Sequence, residues 1–393
     1  MNVDRWLLPD GVEEILPAQA HSVEQLRRQL LDLYRSWGYD MVIPPLLEFT
    51  ESLFSGVGRD LELLTLKVTD QLSGRTMGLR ADMTPQAARM DAHSFRRQGT
   101  SRLCYADHVL HARPKTPLAI RTPLQAGVEL FGEAGLEADI EVISLLLESL
   151  SVADLDKLTL DLGHVGIYRA LTETIDLSEH QQAQLFDLLQ TKDQAQIQQW
   201  LAGNIESTDV AQWLLDLSAL SGDASVLERA REILVDAPAE VHAALDELTA
   251  IAEVVAQRYP SINCYFDLSE LRGYHYHTGI VFAAYAEGFG DAIANGGRYD
   301  HIGEAFGRSR PATGFGLNLT SIIRLLPTVD IQANGIYAPA SQEPAQWQAI
   351  QALREQGERV VCGLSSQQTD IKTLNCNRQL VLVDGEYQVQ AFS

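Results

Sequence analysis

Apolar and other residues alternate strictly along residues 125–130, QAGVEL, which predicts a strand with one buried face. Three apolar residues point to one side and three different residues to the other: Ala126, Val128 and Leu130, against Gln125, Gly127 and Glu129. With the β-like run that precedes a proline-rich loop, the segment predicts a long antiparallel hairpin over residues 102–132. An amide, a missing side chain and a carboxylate on one face suit a small cationic ligand, although a solvent-exposed sheet face has the same pattern.

The composition predicts a globular chain of two or three domains, because 393 residues that are 46% hydrophobic and 21% charged can bury several cores. The cysteines form no CxxC pair, which predicts reduced thiols and no structural zinc site: Cys104, Cys264, Cys362 and Cys376. The N-terminus lacks a basic start followed by an apolar run, and no run of about 18 apolar residues occurs, so we expect a cytoplasmic protein without a membrane span. The formal net charge of −23 argues against nucleic acid as a partner.

The first predicted helix covers residues 21–37, where apolar residues recur at helical spacing before Gly38. A β-prone stretch then runs into Pro44 and Pro45, which end a ladder of hydrogen bonds. This combination predicts an element that builds an interface as well as a core.

Residues 167–257 carry no strand signal and predict a helical insertion within strand-rich sequence. Ser178 with Gln181, and Thr191 with Gln194, have the spacing of capping boxes at helix starts. We therefore expect helices to begin at both positions.

The last block, residues 327–393, shows strand, helix and strand signals and ends with an Asp384-Gly385 turn between alternating runs, which favours a hairpin. It predicts a small α/β appendage. The expected fold class is α+β, with a core over residues 1–326 followed by this C-terminal domain.

Polar and aromatic side chains crowd the segment 271–282, LRGYHYHTGIVF, between apolar flanks. The flanks predict buried strands on either side of a turn, and glycines there let a ligand or another backbone come close. One hypothesis is a small-molecule pocket. The alternative is a hairpin whose tyrosines and histidines lie at the edge of a core.

Two other segments supply polar groups that such a pocket needs. Asp82 and Thr84 stand just before a proline and a helix-like run, where both also fit turn and cap roles. The sequence NGGRYD, residues 295–300, predicts a turn that presents Arg298 and Tyr299.

Seven segments in order resemble the catalytic core of histidyl-tRNA synthetase, a class II aminoacyl-tRNA synthetase, over about residues 5–326. They are LLPDGVEEILP with the first helix, GYDMVIPPLLE, LRADMTP, LQAGVELFG, LRGYHYHTGIVF, GGRYD and ATGFGLNLTS. The resemblance implies an antiparallel class II sheet flanked by helices. It also implies a homodimer, because GYDMVIPPLLE resembles the class II motif 1 that builds the dimer interface.

The positions that handle ATP in that family differ here. Class II motif 2 carries an arginine for the α-phosphate and a glutamate, and the corresponding residues are Leu110 and Ala112. The motif 3 arginine falls at Ser321. Because one lost electrostatic donor typically costs about 10² to 10³ in rate, adenylation is not an expected activity. The family's anticodon-binding domain also looks truncated, which weakens the case for tRNA.

The resemblance implies that the amino-acid side of the site is retained for free histidine. Asp82, Thr84 and Gln125 match family positions that hold the ammonium. Glu129 matches the ring-binding carboxylate, and Arg272 matches the arginine that contacts the substrate carboxylate.

More than one residue is a candidate for the contact that the family's histidine motif makes with the ring of bound histidine. Tyr276 matches its first tyrosine, whereas the second is His277 in this chain. Tyr299 of the GGRYD segment is therefore another candidate for the ring.

A core that has lost ATP chemistry but kept histidine recognition is similar to the regulatory subunits of short-form ATP phosphoribosyltransferases. That resemblance implies a noncatalytic subunit without a cofactor. It would activate a small catalytic subunit, which condenses ATP with phosphoribosyl pyrophosphate in the first step of histidine synthesis, and relay inhibition by histidine. It also implies a hetero-octamer of four regulatory and four catalytic chains.

The sequence leaves two alternatives open. One is a class II ligase that forms histidyl-adenylate, which exchange of pyrophosphate with ATP would reveal. The other is a metal site at His108 with His111, or at His275 with His277, for which no third ligand has suitable spacing.

Overall fold

The structure is a computed structural model that describes residues 6–56, 59–114, 119–155, 157–271, 273–274, 276–326, 334–364 and 371–392. These residues form two compact units, one mainly up to residue 326 and the other mainly from residue 334. Arg272 and His275 lie outside the described residues, and so does the expected domain boundary at residue 327.

Strands and helices of the first unit follow one another in a mixed order. The strands are β1 Asp40–Met41, β2 Leu47–Phe49, β3 Lys67–Thr69, β4 Thr76–Leu79, β5 Ser101–His108, β6 Leu124–Phe131, β7 Leu158–His164, β8 Ser221–Gly222, β9 Asn263–Asp267, β10 Ile280–Ala286, β11 Ala294–Arg298 and β12 Ala312–Asn318. The helices are α1 Pro17–Ser36, α2 Thr50–Leu53, α3 Arg59–Leu64, α4 Thr84–Arg89, α5 Leu136–Val152, α6 Val165–Thr172, α7 Glu179–Thr191, α8 Gln194–Asn204, α9 Thr208–Leu217, α10 Ser225–Ile233, α11 Ala239–Arg258 and α12 Leu319–Leu325. A π-helical turn, Met90–Phe95, and a 3₁₀ turn, Ile302–Phe306, complete the set.

A large mixed sheet has the strand order β1-β5-β6-β12-β11-β10-β7-β9-β8. A small antiparallel sheet with the order β2-β4-β3 is formed by the chain between β1 and β5. Within the large sheet β1 is parallel to β5 and β7 is parallel to β9, whereas the other pairs are antiparallel. The hairpin predicted over residues 102–132 is confirmed by the pairing of β5 with β6.

One face of the large sheet forms the main core. Val128 and Leu130 of β6 are buried on this face with Phe315 of β12, whose ring meets that of Tyr34 on α1 edge-on at 6.2 Å between centroids. Helix α5 packs on the same face. Because each fully buried side chain of this size contributes about 1.5–3 kcal/mol, the alternation along β6 fixes which face of the sheet lies inward.

The predicted insertion is helical from α6 to α11, but it also contains one strand, β8, which the sequence did not predict. The two-residue strand β8 pairs with β9 and extends the sheet. Ser178 and Gln181 form the predicted capping box at the start of α7. The box expected at Thr191 and Gln194 is wrong, because Asp193 caps α8 by accepting hydrogen bonds from two backbone amides.

The segment 271–282 lies between β9 and β10, but these strands do not pair with each other. Strand β7 lies between them, parallel to β9 and antiparallel to β10, so the alternative of a hairpin in this segment is wrong. The turn expected at NGGRYD is also wrong, because Ala294–Arg298 forms β11 and pairs with β10 and β12. The segment ATGFGLNLTS forms β12 and passes directly into α12.

The second unit has a small sheet and one long helix among its described residues. Its elements are β13 Gly335–Ala338, α13 Pro344–Glu355, β14 Val360–Cys362, β15 Cys376–Val383 and β16 Glu386–Ala391, with a 3₁₀ turn at Ile371–Leu374. The strand order is β14-β13-β15-β16. The predicted hairpin is confirmed, with Asp384 and Gly385 in left-handed conformations between β15 and β16. Among the described residues of both units, every helix is too short or too polar to cross a bilayer.

Candidate functional site

Glu129 is the centre of the polar face of the large sheet. It points away from the core residues of β6, yet only 1% of it is exposed. The hydroxyl of Tyr105 on β5 donates to Oε1 at 2.9 Å, and the hydroxyl of Tyr299 donates to Oε2. The alternative of a solvent-exposed polar face is therefore wrong at this position, since tyrosines from two other segments cover it.

Glycines on β6 and on the neighbouring strand β12 make room for these side chains. A Cβ on Gly314 of β12 would overlap Oε2 of Glu129 and lie 2.8 Å from the hydroxyl of Tyr299. A Cβ on Gly127 would lie 2.7 Å from the hydroxyl of Tyr105. The close approach of carboxyl group, hydroxyls and sheet thus requires glycine at both positions.

Burial raises the pKa of Glu129 well above its ordinary value, and the negative charge of Asp82 raises it further. Hydrogen bonds from Thr84 and Tyr105 act in the opposite direction. Burial also raises the pKa of Tyr105 and Tyr276 well above the usual value for a phenol. The carboxyl of Glu129 therefore keeps its proton to a higher pH than an exposed glutamate would.

Tyr276 and His277 bring the turn after β9 to the same place. The ring of Tyr276 stacks on that of Tyr299 at 5.0 Å between centroids, with 22° between the planes. His277 meets both rings edge-on, at 5.1 Å and 6.3 Å. The three rings form one aromatic cluster beside Glu129.

Two buried polar atoms of the pocket have no hydrogen-bond partner among the described residues. They are the hydroxyl oxygen of Tyr276 and Oε1 of Gln125. A buried polar atom left unpaired costs about 1–3 kcal/mol. Both atoms can accept a hydrogen bond, so a ligand that donates N–H groups fits this part of the pocket.

Asp82 and Thr84 take part in a helix start as well as in the pocket. Oδ1 of Asp82 accepts a hydrogen bond from the backbone N–H of Thr84 at 2.9 Å, where α4 begins. The hydroxyl of Thr84 lies 3.4 Å from that of Tyr105. The turn interpretation therefore holds for Asp82, since the N-cap residue of α4 is Met83, while Thr84 connects α4 to the hydroxyl that contacts Glu129.

His277 is anchored by the backbone of the neighbouring strand. Its Nδ1 lies 3.2 Å from the carbonyl oxygen of Arg298, and since a carbonyl can only accept, the proton lies on Nδ1. Next to the ring a cavity is lined by Asp161 and Glu270 together with Asn295 and several glycines. Its acidic lining suits a cationic group rather than a phosphate.

The structure thus brings seven of the eight predicted site residues to one face of the sheet, and Arg272 lies outside the described residues. The seven are Asp82, Thr84, Gln125, Glu129, Tyr276, His277 and Tyr299. Tyr105 was missed by sequence reasoning. It lies opposite Gly127 in the register of β5 and β6. In the predicted hairpin, residues opposite each other share a face, so the alternation of side chains along β5 is the signal that places Tyr105 on the polar face.

Arg298 was predicted to be presented by a turn, but it is buried and structural. Its guanidinium donates to Oδ2 of Asp139 on α5 at 2.6 Å and 3.0 Å, and to Asp300 at 3.3 Å. It also donates to the carbonyls of Glu133 and Gly135 at 3.2 Å. This network holds the end of β11 from which Tyr299 follows.

The three ATP-handling positions hold no cationic side chain. Leu110 donates its backbone N–H to the carbonyl of Arg80 at 2.9 Å, and the backbone N–H of Ser321 is capped by Asn318 at 3.1 Å. The guanidinium of Arg80 is buried and donates to two carbonyls and to Asp107. Its charge is thus already compensated within the fold.

Metal binding at the predicted histidine pairs finds no support in the described part of the chain, where no three His, Cys, Asp or Glu side chains are grouped to hold an ion. His111 is buried with Nε2 3.2 Å from the carbonyl of Ala81. His275 lies outside the described residues.

Two family models match the chain in succession. The model described as "Histidyl-tRNA synthetase" matches residues 11–322, and the one described as "ATP phosphoribosyltransferase subunit HisZ C-terminal domain" matches residues 333–390. Both the large core and the small C-terminal unit are thus recognised separately.

Relatives and solved structures agree with these models. An ATP phosphoribosyltransferase regulatory subunit of Teredinibacter turnerae is 58% identical over 99% of this chain and 99% of its own length. A Bacillus halodurans structure described as an ATP phosphoribosyltransferase regulatory subunit/histidyl-tRNA synthetase has a TM-score of 0.81 at 29% identity, covering 94% of this chain and 96% of that one. An ATP phosphoribosyl transferase (HisG:HisZ) complex from Thermotoga maritima shares the fold, with a TM-score of 0.58 at 18% identity over 75% of this chain and 96% of that one. On this identity, coverage and architecture, the chain belongs to the family of ATP phosphoribosyltransferase regulatory subunits, which have a histidyl-tRNA synthetase-like core.

Proposed function

We propose that this noncatalytic regulatory subunit activates a small catalytic ATP phosphoribosyltransferase subunit and relays inhibition by histidine in the first step of histidine biosynthesis. One observation carries the proposal. The site around Glu129 keeps its polar and aromatic side chains, whereas Leu110 and Ser321 replace the two arginines, and Ala112 the glutamate, that the resembled family uses for ATP. A site of this kind holds an amino acid as a signal rather than as a substrate.

The chemistry of free histidine matches the groups in the pocket. Its ammonium and ring provide N–H donors, and the unpaired oxygens of Gln125 and Tyr276 are acceptors. Asp82 supplies a negative potential beside Glu129, which favours a cationic ligand. Arg272 is our candidate for the ligand carboxylate from the sequence alone.

Inhibition then requires histidine to bind one arrangement of the complex more tightly than the other. The catalytic subunit's ligands must alter histidine affinity by the same factor, and typical coupling is about 1–3 kcal/mol. A ligand that bound both arrangements equally would shift nothing, however tight its binding.

The segment that resembles motif 1 supports a homodimer. Around β1 and β2 it exposes Met41, Ile43, Leu46 and Leu47, of which Ile43 is 71% exposed. Large apolar side chains grouped in this way are typical of a surface that another chain covers. The assembly that we propose contains four regulatory and four catalytic chains and works in the cytoplasm.

The test is co-purification with a small phosphoribosyltransferase, followed by its rate with and without this chain and with and without histidine. We expect the chain to raise the rate and histidine to lower it. Titration calorimetry on the complex should detect histidine binding; binding without any effect on rate would contradict the feedback role. Robust exchange of pyrophosphate with ATP in the presence of histidine would instead favour a histidyl-adenylate ligase.

A further inference from the structure

The turn that carries Tyr276 and His277 is held by the helical insertion. Arg169 on α6 donates through Nη2 to the carbonyl oxygens of Tyr274 and His277, each at 2.7 Å. The first residue of α6, Val165, donates its backbone N–H to the carbonyl of Gly279 at 3.1 Å. One short helix thus contacts the turn near its start and at its end.

An aromatic cage fixes the ring at the start of this turn. The ring of Tyr274 meets that of Tyr168 on α6 edge-on at 5.2 Å and lies 6.1 Å from that of Phe186 on α7. The guanidinium of Arg169 lies 5.0 Å from the Tyr274 ring centroid. Tyr274 therefore packs against the insertion, whereas Tyr276, two residues later, packs against Tyr299 in the pocket.

A third contact holds the chain just before the turn. Lys192, the residue that follows α7, forms an ion pair with Oδ2 of Asp267 at the end of β9. The other oxygen of Asp267 accepts from the backbone N–H of Ser269 at 3.1 Å and from its hydroxyl at 2.9 Å. The approach to the turn is thus fixed by α7, as the turn itself is fixed by α6.

We propose that α6 and α7 hold the turn residues 273–274 and 276–279 in their ligand-binding conformation, with Arg169 as a positioning residue that couples the occupied pocket to the helical insertion. This rests on the proposed binding of histidine. Arg169 donates to the backbone carbonyls of Tyr274 and His277, so a shift of the Tyr274 or the His277 ring moves an acceptor of its guanidinium. The coupling element is a contiguous chain of packed and hydrogen-bonded groups from ligand pocket to insertion.

The first test is hydrogen exchange on the full-length chain without ligand. In the wild type the amides of Tyr276 and His277 donate to the carbonyl of Gly273 at 2.7 Å and 2.8 Å. R169M should speed exchange of these amides at least tenfold, and R169K should restore part of the protection. R231M is the matched control, because Arg231 pairs with Asp246 and Thr249 inside the insertion.

The second test is histidine affinity by titration calorimetry. R169M should raise the Kd about tenfold or more, as expected for hydrogen bonds from a charged group. R169K should lie between R169M and the wild type, and R231M should stay within twofold of the wild type. Saturating histidine should also slow exchange across residues 165–192 in the wild type and not in R169M.

The outcomes separate this inference from the proposed function. If the wild type does not bind histidine, the proposed ligand fails, and unchanged exchange of the turn in R169M would sink the positioning role independently. If the wild type binds and R169M binds equally well with equal protection of α6 and α7, only the present inference is overturned. Should R169M fail to fold, F186L removes the ring contact with Tyr274 while keeping an apolar side chain, and the same exchange and affinity changes are expected.

Discussion

The hydroxyl of Tyr105 reaches Oε1 of Glu129 at 2.9 Å across two neighbouring strands, although Tyr105 lies opposite Gly127 in their register. The contact is diagonal and passes over a residue without a side chain. A buried carboxyl is therefore hydrogen-bonded within the sheet face before any ligand arrives. Its protonation then depends on burial more than on any neighbouring cation.

We expect E129Q to change how stability depends on pH. Because the folded-state pKa of Glu129 is raised, its contribution to stability is fully present below about pH 4.5 and is lost as pH rises toward the folded pKa. The variant lacks this loss, so its stability relative to the wild type should increase by up to about 1.4 kcal/mol per pH unit in that window. Urea denaturation between pH 4.5 and 8 measures the difference.

E287Q provides the control for that series, since the Glu287 side chain is 71% exposed. Its effect should stay within about 0.5 kcal/mol at each pH. An E129Q effect that is equally independent of pH would show that the Glu129 carboxyl is not perturbed by burial.

Y276F should separate ligand binding from folding. The hydroxyl of Tyr276 is buried without a hydrogen-bond partner among the described residues, so its removal should leave the Tm of the free protein unchanged or raise it. If the hydroxyl accepts from bound histidine, the Kd should rise about tenfold. Calorimetric titration with Y34F, which alters a core tyrosine outside the pocket, is the control. Unchanged affinity in Y276F would remove this hydroxyl from the list of ligand contacts.

G314A should damage the pocket and the fold together. The added Cβ would overlap Oε2 of Glu129 and come within 2.5 Å of the carbonyl of Val128, so we expect a loss of about 1–3 kcal/mol and weaker histidine binding. The matched control is G203A on α8, where a Cβ meets nothing within 4 Å. There alanine should stabilise by about 0.5–1 kcal/mol. Chemical denaturation of both variants compares the effects, and equal stability of G314A and the wild type would contradict the close packing.

Local patterns predicted the elements and the polar face, but not the partners that cover that face. Alternation along β6 is enough to orient Glu129, since period-two patterning reflects burial directly. The hydrogen bond from Tyr299 is not predictable in this way, because it joins residues 170 positions apart. The turn predicted at NGGRYD is wrong because its burial also depends on a distant residue. An arginine beside two glycines is, by itself, typical of an exposed turn. The buried carboxylate that pairs with Arg298 comes from a helix 159 residues earlier.

The pair of Arg298 and Asp139 gives the last prediction. Both side chains are nearly buried, at 9% and 2% exposed, and R298M would leave Asp139 without its cation. Removing one partner of a buried ion pair typically costs about 3–5 kcal/mol, so R298M should lower the free energy of unfolding by that amount. It should also weaken histidine binding, because the network holds the strand end from which Tyr299 reaches Glu129. K157M, which breaks the exposed pair with Glu287, should cost no more than about 1 kcal/mol. Urea denaturation and calorimetry on both variants test this prediction. If R298M and K157M lose equally little free energy of unfolding and histidine affinity, Arg298 neither stabilises the core nor positions Tyr299.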